Sequence, residues 1–111
     1  MRRLLQIHTA FLAILAIGLL IWPDRFLAGT KDGPNGKPVP NITPDPQTGI
    51  GNWSEEDIVS LLTEGHTPDL DVVAGAMAEV VKSTAQLTEA DRRAIAVYLK
   101  SVAPVSTPEL K

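Results

Sequence analysis

Met77 is the side chain in this sequence with the most chemistry to offer. It follows Gly75 and Ala76, small residues that let a backbone approach a flat partner closely. Around it lies an apolar patch of Val72, Val73, Ala74, Val80 and Val81. Its thioether is a soft donor, but a methionine in such a patch is also a flexible filler of a small core. Composition alone favours the filler. His66 lies in the turn His66-Thr67-Pro68-Asp69, directly after a helix stop, where a solvent-exposed imidazole is expected. His8 lies in an apolar N-terminal stretch and reads as a tolerated polar residue. Asp69 and Asp71 lack the spacing and central glycine of a calcium loop. Glu55, Glu56 and Asp57 crowd one helix start, where the helix dipole favours negative charge, and do not converge on a metal.

No nucleophile–base pair, carboxylate dyad or phosphate loop stands out, so the chain does not read as an enzyme. There is no cysteine, which excludes disulfides. Overall charge is −3, and from Pro23 onward thirteen acids face eight bases, for −5. With no basic patch to neutralise phosphates, nucleic acid is not an expected partner. A chain of 111 residues holds at most one small domain, and a core that thin commonly leans on a cofactor or a partner.

The elements that would position Met77 are helices with clear ends. Ser54 is an N-cap with Asp57 at the third helical position, and Trp53 and Ile58 have the spacing of a hydrophobic staple. Ile58, Leu61 and Leu62 share one face, and Gly65 stops the helix. Thr88 caps a final helix with Asp91 at its third position and an apolar stripe of Ala94, Ile95, Tyr98, Leu99 and Val102. Arg92, Arg93 and Lys100 are expected to face water or acids. Pro104 ends this helix, and the tail to Lys111 is expected to fray.

Residues 23–52 hold eleven glycines and prolines, which break regular structure yet stiffen the chain. Ile42, between turn formers in Asn41-Ile42-Thr43-Pro44-Asp45, marks this loop as more than a linker. At the N-terminus, Arg2 and Arg3 precede an apolar stretch over residues 4–22 that ends at Trp22. It reads as an uncleaved signal anchor, or as a cleaved signal, with everything after Trp22 exported. The expected layout is therefore a signal anchor or signal peptide at 1–22, a Pro/Gly-rich loop at 23–52, a helical region at 53–105 and a tail at 106–111. The fold class is all-α.

The order of these pieces resembles bacterial c-type cytochrome domains, including the cytochrome subunits of membrane-bound dehydrogenases. The run Pro40-Asn41-Ile42-Thr43-Pro44-Asp45-Pro46-Gln47-Thr48-Gly49-Ile50-Gly51-Asn52-Trp53-Ser54-Glu55-Glu56-Asp57-Ile58 is similar to that family's loop-and-helix signature. Gly75-Ala76-Met77-Ala78-Glu79-Val80-Val81 looks like its distal-ligand segment, and residues 87–101 look like its C-terminal helix. The resemblance implies an electron-transfer protein with haem c as cofactor, Met77 as the thioether ligand of iron, and Asn41, Ile42, Ile50 and Trp53 along the haem edge. It implies a redox partner protein or dehydrogenase subunit, and a site on the periplasmic face of a bacterial inner membrane.

In that family an N-terminal helix bears Cys-x-x-Cys-His, which a chain without cysteine does not contain. The expected domain is therefore an incomplete cytochrome c-like one, as from a truncated gene. The alternative is a haem-free, membrane-anchored accessory domain of a periplasmic redox complex.

Overall fold

The computed structural model describes residues 25–110, so the expected N-terminal anchor and His8 lie outside the described residues. Three α-helices follow the loop: α1 (Glu55–Glu64), α2 (Ala76–Thr84) and α3 (Glu89–Ser101). Short 3-10 turns occupy Pro34–Gly36 and Pro108–Leu110. Among the described residues the β-structure is limited to two isolated bridges, Thr30 with Val39 and His66 with Val72. The all-α expectation holds for this region, and none of its helices is long and apolar enough to cross a membrane.

The helix ends sit where the sequence puts them. The Ser54 hydroxyl accepts from the Asp57 backbone N–H while the Asp57 carboxylate accepts from the Ser54 N–H, a complete capping box. Gly65 closes α1 in the left-handed region at φ +76°, where a side chain would be strained. Thr88 caps α3 by accepting from the Asp91 N–H.

Packing centres on α1, which contacts both α2 and α3. Ile58, Val59, Ile50 and Ala96 form the buried cluster, with Trp53, Leu62 and Leu99 packed against it. The buried stripe of α3 differs from the expected one. Ala96 is fully buried, whereas Ala94 and Tyr98 are exposed.

The reason lies in two basic residues that turn inward. Arg92 donates to the carbonyls of Thr84, Ala85 and Leu87, tying α3 to the C-terminal end of α2. A cation at that end also complements the helix dipole. Lys100 donates to the carbonyls of Gly51 and Trp53 and so holds the entry to α1. Arg93 alone meets acids as expected: it lies 2.7 Å from Glu56, 3.4 Å from Glu89 and 3.9 Å from Glu55. Its hydrogen bond and charge hold the Glu56 carboxyl below the ordinary carboxylate value.

The tail is pinned rather than frayed. Thr107 is fully buried, donating its hydroxyl to the Ala28 carbonyl, while its N–H donates to the Thr48 hydroxyl. Arg25 reaches Glu109 at 3.2 Å.

Ser54→Ala removes half of the capping box. It is expected to lower stability by about 1 kcal/mol. In a domain this small that is a fall of roughly 4–8 °C in Tm, readable by circular dichroism. The Glu56–Arg93 contribution is present above the ordinary carboxylate value and fades as pH falls through the lowered folded value. Arg93→Gln should flatten that part of the stability–pH curve and leave the neutral-pH helix content unchanged.

Candidate functional site

The five residues singled out from the sequence converge on one cavity of about 730 Å³, a size ordinary for a cofactor or ligand site. Asn41, Ile42, Ile50, Trp53 and Met77 all line it. The remaining wall is mostly apolar and comes from every part of the fold. Ile58, Leu61 and Leu62 come from α1, Leu99 from α3, Val73 and Ala74 from the approach to α2, and Leu110 from the last turn. Sequence reasoning missed Leu110, because a tail expected to fray is not expected to line anything. It also missed Pro38, Pro40, Thr48 and Thr67.

Met77 sits in the first turn of α2, one residue after Ala76 opens the helix. It is 53% exposed, so the core-filler reading is corrected: this side chain does not plug a gap in the interior. Its position is set from behind. Val81 packs at Gly65, and the Thr84 hydroxyl donates to the Leu62 carbonyl at 2.6 Å, which clamps α2 onto the end of α1. Arg92 secures the other end of α2, as above.

The loop wall is held by a side chain the sequence placed only at the edge. Asn41 is 4% exposed and its carboxamide is fully engaged. The amide nitrogen donates to the Val105 carbonyl at 2.6 Å and to the Thr48 hydroxyl at 3.1 Å. Its oxygen accepts from the Thr43 N–H and hydroxyl at 2.9 and 2.7 Å. Asn41 therefore shapes the wall and has no polar group left to offer an occupant. Asp45 accepts from the Thr48 N–H and hydroxyl, closing the same loop. Gly49 is required here because a Cβ would sit 2.2 Å from the Thr43 carbonyl oxygen.

His66 does not join the site. It is exposed, with Nδ1 3.4 Å from a Glu64 carboxylate oxygen, and does not line the cavity. Among the described residues no three His, Cys, Asp or Glu side chains group as a metal site.

The chain is 47% identical over 79 residues to a "Diheme cytochrome c-type" protein of Cereibacter sphaeroides. That match covers 71% of this chain and 25% of the relative. It is 46% identical over 68 residues to an "Alcohol dehydrogenase (quinone), cytochrome c subunit" of Gluconacetobacter polyoxogenes, covering 60% of this chain and 14% of the relative. It is 44% identical over 86 residues to a "Fructose dehydrogenase cytochrome subunit" of Gluconobacter japonicus, covering 75% and 17%.

These matches relate the chain to a segment of bacterial c-type cytochromes. No family model matches the chain. It spans a quarter or less of the length of these relatives.

The described residues fit one side of a haem. They supply an apolar wall, an aromatic ring from Trp53 and a soft thioether from Met77. They supply no histidine to the cavity, and the chain has no cysteine for covalent attachment.

Asn41→Ala removes the acceptor of the buried Thr43 N–H and one of the two donors to the Val105 carbonyl, leaving the Thr43 hydroxyl as that carbonyl's partner. It is expected to lower stability by about 2–3 kcal/mol in urea unfolding. The exposed Gln47→Ala should stay within about 0.5 kcal/mol of the parent.

Proposed function

We propose that this chain is the haem-cradling part of a c-type electron-transfer module, with Met77 as an axial ligand and Ile42, Ile50 and Trp53 against the haem edge. The observation that carries this reading is the meeting of Met77 with the loop residues on one apolar cavity. When bound, the haem supplies one-electron exchange, and a thioether axial ligand favours a raised potential suited to relay. The chain's own residues do the rest. The apolar wall excludes water, α2 holds the sulfur at the rim, and Asn41 keeps the loop wall in register. The cysteine thiols of a covalent haem c come from outside this sequence. The second axial donor comes from outside the described residues.

The role is that of an electron carrier, not a catalyst. Its partner is a redox protein or a dehydrogenase subunit, in keeping with the dehydrogenase subunits among its relatives. Residues 1–22 anchor it in a bacterial inner membrane and the cavity faces the periplasm. The absence of cysteine favours a second reading, a haem-free accessory domain whose open cavity is covered by a neighbouring subunit.

Titration of the full chain with ferric haem separates the two. The carrier reading expects a shifted Soret band and a weak near-infrared band from sulfur–iron charge transfer. Met77→Ala should abolish the near-infrared band and weaken uptake roughly tenfold, the equivalent of about 1.4 kcal/mol. A chain whose addition leaves the haem spectrum unchanged supports the accessory reading.

A further inference from the structure

Two parts of the cavity wall are held in different ways. The loop wall is locked through the Asn41, Thr43 and Thr48 side chains to the segment after α3. A second part takes Thr67, Val73 and Ala74 from the connection between α1 and α2. Among the described residues no hydrogen bond or ion pair joins residues 66–74 to the loop wall.

Residues 66–74 are instead tied to themselves. The Thr67 N–H donates to the Asp71 carbonyl and the Leu70 N–H to the Thr67 carbonyl, each at 2.9 Å. The Asp71 N–H donates to the Thr67 hydroxyl at 3.1 Å, and His66 pairs with Val72 in an isolated bridge. The ties to the rest of the fold lie at the base of this unit. The Val73 N–H donates to the Gly65 carbonyl at 2.9 Å, and His66 Nδ1 lies 3.4 Å from Glu64. The tip is bare, with Leu70 83% exposed. Such a unit belongs to the easily opened end of a fold.

A glycine stands at each end. Gly65 has φ +76°, and Gly75 has φ +64° with ψ −140°. A Cβ on Gly75 would meet nothing within 4 Å, so backbone conformation and not crowding calls for glycine there. Hinges are the few positions that absorb the backbone change when a lid moves.

We propose that residues 66–74 are a lid that swings as one body about Gly65 and Gly75 and so varies the width of the cavity mouth. The swing carries Thr67, Val73 and Ala74 relative to the Asn41 wall, while Met77 stays with α2 beyond the second hinge. The inference is independent of which group fills the cavity, so its failure leaves the carrier reading untouched.

The chain has no cysteine, so introduced pairs can be spin-labelled without background. Leu70→Cys with Gln47→Cys spans the mouth, and Gln47→Cys with Ala90→Cys on α3 spans the fixed frame; all three positions are exposed. Pulsed dipolar spectroscopy of the full chain in mild detergent should give the mouth pair a distance distribution roughly twice as broad as the frame pair. Gly75→Ala places a methyl group in open space and confines the backbone. It should narrow the mouth distribution toward that of the frame while far-UV circular dichroism stays that of the parent. Equal widths for the two pairs in the parent overturn the lid, whether or not the variant folds. A broad mouth distribution that a folded Gly75→Ala leaves unaltered overturns it as well.

Discussion

The buried carboxamide of Asn41 is the constraint on which the rest depends. A loop of this length without regular structure has to satisfy its own polar groups or stay in water. Asn41 does so by bonding Val105, Thr48 and Thr43 at once, which joins the second half of the loop to the segment after α3. Thr43 and Thr107 extend the same seam, and Lys100 locks its far end at Gly51 and Trp53. Only with the loop fixed in this way do Ile42, Ile50 and Trp53 make a wall rather than a flexible apolar strand.

Met77 faces that wall from an element built quite differently. Helix α2 has no buried residue of its own and no side-chain cap at its start. It is held through Thr84, Val81 and Arg92, all on its C-terminal half or on its neighbour. The sulfur thus sits at the less restrained end of a short helix. That arrangement ties the local order of the cavity rim to whatever occupies it.

What the sequence revealed and what it hid follow from the range of the interactions. Ser54 with Asp57, Gly65, and Thr88 with Asp91 are signals within one turn, so the helix ends were legible. The convergence of Asn41, Ile42, Ile50, Trp53 and Met77 was legible through likeness to a family, not through periodicity. Contacts that join distant residues left no local mark. Arg92 and Lys100 look like surface charges on a helical wheel, yet both turn inward to carbonyls, and this rotates the buried stripe of α3 toward Ala96 and away from Tyr98. Leu110 belongs to the cavity only because Thr107, three residues earlier, is anchored to Ala28.

The central claim is that the sulfur of Met77 meets iron. The sequence contains two methionines, Met1 and Met77, so a chain labelled at the methionine methyl groups gives two signals in a carbon–proton correlation spectrum. With reduced haem added to the full chain, the Met77 methyl should move far upfield under the porphyrin ring current, and Met77→Leu should remove that signal. A haem-bound chain in which the Met77 methyl keeps its ordinary position would contradict ligation and the reading built on it.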